Sequence, residues 1–291
     1  METQLLAAFV EVANCGSFTQ AAERLHLSQP AVSKRMTTLE QQIGAALFDR
    51  IGRSIVLTDA GRTLLPYARK VLQDVEDGRR ALSGLSGRVG GRLSIGTSHH
   101  IGLHRLPPVL KRYTQQYPDV DLDIHFMDSE IACDAVLDGR LELGIVTLPL
   151  LPIERLRTRV IWPDPMAFVV APDHPLRRLR RIRLLDLVDY PAVLPDEATY
   201  THRIVKQVLE THGAHPRIRL ATNYLETLKM LVAIGMGWSV LPTSMVDETI
   251  RVLSIAEIRL HRDLGTALHA DRTVSGAARA LLGMLHPPDS D

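Results

Sequence analysis

Leu5, Phe9 and Ala13 recur four residues apart with Leu6 and Val10 beside them, which places one apolar face on a helix closed by Gly16. Ser17 is positioned to cap a short second helix whose inward face is Phe18, Ala21, Ala22 and Leu25, the small alanines allowing close crossing. Ser28 caps a third helix, Pro30 fits its first turn, and Val32, Met36 and Leu39 form its buried stripe. The outer face of this third helix carries Gln29, Ser33, Lys34 and Thr37, with Arg35 alongside. Gln and Ser can read base edges in a major groove, while Lys and Arg neutralise phosphates. Spacing alone leaves two readings open: a helix-turn-helix, or a three-helix bundle with a solvated face.

The next stretch separates them. Leu47-Phe48-Asp49-Arg50, Ile51-Gly52-Arg53-Ser54 and Ile55-Val56-Leu57 predict a small β-wing, with Gly52 at the turn and two arginines for minor-groove or backbone contact. The run FTQAAERLHLSQPAVS from Phe18 to Ser33 resembles the signature of LysR-type transcriptional regulators. Leu39-Glu40, Gly44, Leu47 to Arg50 and Leu57-Thr58-Asp59-Ala60-Gly61 continue the resemblance in register. It implies a winged helix-turn-helix at residues 1–58, with Gln29, Pro30, Ala31, Ser33, Lys34 and Arg35 in the recognition helix and Arg50 and Arg53 in the wing. The implied partner is double-stranded promoter DNA, with RNA polymerase a further candidate.

Thr58 opens a long helix on which Leu64, Ala68, Val71, Val75 and Leu82 repeat in steps of four and three, apart from a gap at Gly78. Such a stripe either closes a dimer seam or packs on its own domain. The resemblance implies the seam, within a homodimer or homotetramer facing a pseudo-palindromic site. Ser83 to Gly91 holds four glycines and two serines, the composition of a flexible joint, so residues 59–91 read as linker helix and hinge.

Beyond the hinge, residues 92–291 alternate strand-like and helical stretches: Leu93–Gly96, a helix near Leu103–Gln116, Val120–Phe126, Ile131–Asp138 and Leu143–Val146. Repeated βα units predict an α/β fold with a largely parallel sheet. The pattern changes near Ile161-Trp162-Pro163, and Met166–Ala171 reads as the opening strand of a second lobe, residues 163–264. Gly265–Ala270 and a helix from Ala277 to Leu285 read as a return to the first lobe, residues 92–162 and 265–291. This organisation resembles the type 2 periplasmic-binding-protein fold of the LysR effector domain.

Ligands of open α/β sheets sit beyond the carboxyl ends of strands, against helix N-termini. Thr97-Ser98-His99-His100, Thr147, Thr199-Tyr200-Thr201 and Asn223 fall at such turns. Their hydroxyls suit a small anion or carboxylate, and the resemblance implies an effector site at Thr97, Ser98, His100, Thr147 and Thr201. The pair His99-His100 reads as an anion contact or a pH-tuned contact; a metal pair lacks acidic or cysteine partners nearby, so no metal is assigned.

Composition adds exclusions. A net charge of +1 offers no global basic field, so DNA affinity must be local. Cys15 and Cys133 fit neither a disulfide framework nor a zinc motif and read as small buried residues. Arg177 to Arg183 reads as a solvated run rather than a second nucleic-acid site. The opening residues do not resemble a leader and no apolar stretch matches a membrane span, so the expected compartment is the cytoplasm. No cofactor is expected. A transporter's solute-binding protein is the alternative that the second half alone would support. An enzyme is not expected, since no nucleophile elbow, phosphate loop or metal spacing occurs.

Overall fold

The computed structural model describes residues 2–51, 54–83, 89–255 and 258–286, which fall into two compact units divided at Arg88 and Val89. In the first unit, α1 (Thr3–Cys15) ends on Gly16 at φ 60, a left-handed conformation that glycine adopts without a Cβ clash. The Ser17 hydroxyl accepts from the Gln20 N–H to cap α2 (Phe18–Arg24), and Ser28 accepts from the Ala31 N–H to cap α3 (Gln29–Ile43). Val32, Met36 and Leu39 are the buried residues of α3, closing on Phe9 of α1 and Ala21 and Ala22 of α2. On α1 the buried stripe runs through Leu5, Leu6, Phe9 and Val12, with Ala13 at its edge.

Strands β1 (Phe48–Ile51) and β2 (Ser54–Leu57) pair antiparallel, while Gly52 and Arg53 lie outside the described residues. The Phe48 ring packs 5.5 Å from that of Phe9 and 6.0 Å from that of Phe18, which pins the wing to the helices. Thr58 caps α4 (Asp59–Ser83): its hydroxyl accepts from the Gly61 N–H at 3.0 Å and donates to the Ala46 carbonyl at 2.7 Å. The stripe expected to run as one seam along α4 divides. Leu64 and Ala68 pack into the core of their own unit, whereas Val71 and Val75 stay exposed. The side chain of Leu82 and the glycine-rich joint at 84–88 lie outside the described residues.

The second unit runs β3 (Gly91–Thr97), α5 (His99–His104), α6 (Pro107–Gln116), β4 (Val120–Phe126), α7 (Ser129–Leu137), β5 (Leu143–Thr147) and β6 (Leu156–Val170). It continues through β7 (Ala192–Leu194), α8 (Tyr200–Thr211), β8 (Ile218–Ala221), α9 (Leu225–Ala233), β9 (Ser239–Pro242), β10 (Arg251–Val252), β11 (Leu260–His269) and α10 (Gly276–Leu285). The single helix expected near Leu103–Gln116 is two. Pro107 and Pro108 have no N–H to continue α5, yet fit the first turn of α6.

The sheet is mixed rather than largely parallel. β4, β3 and β5 are parallel neighbours, but β5, β11 and β6 pair antiparallel. The reason is topological: the chain leaves the first lobe on β6 and returns beside it on β11, so the two must run in opposite directions. Met166–Ala171 is accordingly no new strand. Its residues to Val170 form the far half of β6, which pairs β11 from Leu156 to Met166 and β9 from Met166 to Val169. Pro163 and Pro165 suggested a break because they lack an N–H. They stand two apart, on one phase of the strand, and a strand tolerates a missing donor on the phase facing away from its partner.

Each lobe has its own core. Leu93, Ile95, Leu143 and Ile145 meet Tyr113 and Leu281 in the first. Phe168 and Val170 meet Trp238, Val205 and Leu209 in the second, where the Trp238 indole donates to the Leu187 carbonyl at 3.0 Å.

Gly61 makes the closest backbone approach in the head, since a Cβ there would lie 2.2 Å from the Leu47 carbonyl oxygen. Gly61→Ala is therefore expected to destabilise the first unit by about 1–3 kcal/mol or more. Both tryptophans, Trp162 and Trp238, lie in the second unit, so their fluorescence transition stays put while the helical signal melts earlier. An unchanged melting profile by circular dichroism would refute the close approach.

Candidate functional site

The carboxyl ends of β3 and β5 lie side by side, since these strands pair in parallel up to Thr97 and Ile145. Facing them are the first turns of α8 and α9. Between these elements lies a cavity of ≈ 230 Å³ whose lining includes Ser98, His100, Ser129, Thr147, Thr201 and Arg262. That is below the range of about 300–1,000 Å³ common for drug-sized ligands, and it suits a small metabolite.

Four of the five residues expected at the effector site line this cavity: Ser98, His100, Thr147 and Thr201. Thr97 does not. Its hydroxyl donates to the Ile145 carbonyl at 2.8 Å in the sheet interior, stitching β3 to β5. Ser98 accepts from the Ile101 N–H at 3.4 Å and so caps α5. The Thr147 N–H donates to the Ser129 hydroxyl at 3.0 Å, tying β5 to the start of α7. Asn223 joins the cavity wall, its amide donating to Asp128 at 2.7 Å and its carbonyl accepting from the Asp196 N–H at 2.9 Å.

The charged residues of the site were not foreseen. Asp164 on β6 stands opposite Arg262 on β11 where the strands cross between lobes, and both are buried, at 1% and 5% exposure. Arg262 Nε donates to Asp164 at 2.8 Å, Arg105 donates to the other carboxylate oxygen at 3.2 Å, and Arg262 Nη1 donates to the Thr201 hydroxyl at 3.0 Å. Arg262 Nη2 is buried and finds no hydrogen-bond partner among the described residues. Burial works to lower the guanidinium pKa, and Asp164 opposes that shift. A buried charged residue at one phase of an apolar strand, as in Leu260-His261-Arg262-Asp263-Leu264, is the signal that could have found it.

Acidic groups face this cation. Asp128 and Glu130, at the start of α7, also line the cavity, and the Glu130 carboxylate accepts from the Tyr200 N–H at the N-terminus of α8. Burial pushes the Glu130 pKa up. His100 is 4% exposed, and its pKa is pushed down to about 4 by burial first and by the nearby Arg262 charge second. The ring is neutral near pH 7, and neither nitrogen finds a hydrogen-bond partner among the described residues. Its 3.7 Å approach to Glu226 is therefore no ion pair.

In the head, α3 turns Gln29, Pro30 and Lys34 to solvent, with Ala31 and Ser33 half-buried. Gln29 donates to the Ser33 hydroxyl at 3.0 Å, so the two lie together on one face. Arg35 leans towards α1, donating to Gln4 at 3.2 Å. Arg50 lies in β1, its backbone alone described, and Arg53 lies outside the described residues. Arg177, Arg178, Arg180, Arg181 and Arg183 are exposed. Cys133 is buried, which pushes its thiol up to about 12, and Cys15 is half-buried, its thiol donating to Glu11. Among the described residues no helix is long and apolar enough to cross a membrane.

Residues 3–62 match the family model of the bacterial regulatory helix-turn-helix proteins, lysR family, and residues 86–287 match the LysR substrate binding domain. An uncharacterised HTH-type transcriptional regulator of Azotobacter vinelandii is 61% identical over 108 residues, 37% of this chain and 75% of that one. A probable RuBisCO transcriptional regulator of Synechocystis is 30% identical over 287 residues, 95% of this chain and 83% of that one. A full-length OxyR variant from Pseudomonas aeruginosa has a similar structure, with a TM-score of 0.73 at 27% identity over 99% of this chain and 95% of that one.

Removing one partner of a buried ion pair leaves the other charge uncompensated, at a cost of about 3–5 kcal/mol. Asp164→Ala is expected to lower the stability of the second unit by that amount in denaturant unfolding followed by tryptophan fluorescence. A loss below about 1 kcal/mol, the scale of an exposed pair, would show that the joint does not depend on this contact.

Proposed function

The chain belongs to the family of LysR-type transcriptional regulators, and on that premise we propose that it binds promoter DNA through α3 and the wing while sensing a small anionic or carboxylate metabolite in the cleft of its second unit. One observation carries the effector reading: the buried Arg262 Nη2, without a partner among the described residues, beside Thr147 and Thr201 in the cavity wall. A buried unsatisfied donor costs about 1–3 kcal/mol, more when charged, and an anion's oxygen relieves that cost. The neutral His100 ring and the Ser98 hydroxyl add hydrogen-bonding capacity without adding charge. Asp128 and Glu130 limit the size of the anion and favour a ligand that also carries an ammonium group.

In the head, Gln29 and Ser33 choose sequence at base edges, with Pro30 and Ala31 shaping the entry of α3. Lys34, Arg35, Arg50 and Arg53 supply affinity through phosphates. Tyr67, Val71 and Val75, four residues apart and exposed on α4, supply an apolar ridge for a second copy, as a homodimer or homotetramer with two-fold DNA sites needs. Effector binding shifts the balance between lobe arrangements and thereby the geometry of the assembly, with RNA polymerase as the downstream partner. The site of action is the cytoplasm. The helix-turn-helix match gives a transporter's solute-binding protein no support, and the matched relatives are named as regulators rather than enzymes.

Calorimetric titration with sulfate, phosphate, simple dicarboxylates and α-amino acids tests the effector reading. At least one is expected to bind wild type, and Thr147→Val and Ser98→Ala each to weaken it several-fold while the folded circular dichroism spectrum is kept. Binding that ignores both variants would overturn the site. For DNA, Arg35→Ala is expected to weaken binding similarly across sequences and to reduce the salt slope by about 1. A loss confined to the cognate site, at unchanged slope, would overturn the phosphate role.

A further inference from the structure

Three histidines sit on α5, and two of them, His100 and His104, are one helical turn apart with ring centroids 4.8 Å from each other. Opposite them, the first turn of α9 presents Glu226. His104 Nε2 lies 2.9 Å from Glu226 Oε1, and His100 Nδ1 lies 3.7 Å from the same oxygen. One ligand atom from each of the three residues falls within 4.8 Å of the other two. Four tetrahedral ligands about 2.0–2.1 Å from an ion stand about 3.3 Å from one another, so the spacing needs only a small adjustment.

A second, independent observation points the same way. Both nitrogens of the buried His100 and the Oε2 atom of Glu226 lack a hydrogen-bond partner among the described residues. A core histidine held for packing alone normally satisfies at least one nitrogen. Coordination takes up one nitrogen of His100 and the Glu226 carboxylate. It replaces the His104–Glu226 hydrogen bond, with the ring proton of His104 moving to Nδ1. Two imidazoles and one carboxylate select a borderline transition ion over magnesium or calcium, which take oxygen ligands.

We infer that His100, His104 and Glu226 form a site for a divalent transition-metal ion of the zinc class, held between the two lobes. The lobe assignment rests on packing. α5 contributes Ile101 to the core around β3 and β5, while α9 contributes Leu225, Leu228 and Val232 to a core of the other lobe. Three protein ligands leave one tetrahedral position open, and His100 also lines the effector cavity. The ion therefore ties the lobes at the edge of the cleft, and any ligand preferring the closed cleft is coupled to it reciprocally.

The site is tested with the metal alone, so its outcome is separate from that of the anion reading. The full chain, stripped by a chelator, is titrated with Zn²⁺ and with Co²⁺, whose visible bands report tetrahedral coordination, and with Mg²⁺ for comparison. One equivalent of Zn²⁺ or Co²⁺ per chain is expected, with a raised melting temperature and slowed hydrogen exchange in both α5 and α9. His104→Ala and Glu226→Gln, both at partly exposed positions, are each expected to weaken binding by more than about tenfold. His125→Ala, at a surface His–Asp pair on β4, is expected to leave the titration unchanged. Weak, non-stoichiometric binding, or binding indifferent to the first two variants, would overturn the site. Protection confined to α5 would overturn the bridge.

Discussion

The antiparallel pairing of β6 with β11 is the constraint on which the second unit depends. The chain passes from the first lobe to the second on one strand and returns on the other, in register across Asp164 and Arg262. Two opposite charges at a crossing buried on all sides are costly to desolvate, by several kcal/mol per ion, and persist only if hydrogen bonds satisfy them. Asp164 receives two guanidinium groups, from Arg262 and Arg105, and Arg262 passes a further hydrogen bond to Thr201. The same residue, Arg262, also lines the cavity, and its Nη2 is left without a hydrogen-bond partner among the described residues. The floor of the cleft is thus a by-product of how the two lobes are joined.

Around that floor, polar contacts join the lobes beside a small apolar cluster in which Tyr200 of one meets Ala132, Cys133 and Val146 of the other. Glu130 takes the N-terminal N–H of α8, Asp128 takes the amide of Asn223, and His104 meets Glu226. Each is a hydrogen bond that water can replace at a net difference of about 1 kcal/mol, more where charge is involved. An interface built this way is well suited to be tipped by a small ligand, because a differential affinity of a few kcal/mol is comparable with the sum of the ties.

The head depends on a different kind of constraint, that of close approach. Glu40 accepts from the Leu47 N–H at 2.7 Å, Thr58 bridges Ala46 and Gly61, and Gly61 lets α4 lie against the Leu47 carbonyl. These contacts fix where the wing leaves the helices. They explain in physical terms why Glu40, Leu47, Thr58 and Gly61 appear together in the motif. They also explain the divided stripe on α4: its first turns must cover Phe9 and its neighbours, which leaves only the later valines free for another surface.

What the residues determined by themselves was whatever depends on near neighbours along the chain. Ser17 and Ser28 as caps, the α3 stripe of Val32, Met36 and Leu39, the wing, and the turns carrying Ser98, Thr147 and Thr201 were all legible from spacing and capping chemistry. Thr97 fits the same turn pattern, and only its orientation into the sheet, towards the Ile145 carbonyl, distinguishes it. The continuity of β6 through its prolines depended on a partner strand, and the mixed direction of the sheet on where the chain returns. The pairing of the cleft's charges was invisible for the same reason. Arg262 and Asp164 are 98 positions apart, and His104 and Glu226 are 122 apart. A carboxylate partner for the histidines was lacking nearby in sequence, and folding supplied it from the other lobe. Periodicity records which face of an element is buried; only tertiary structure decides what that face is buried against.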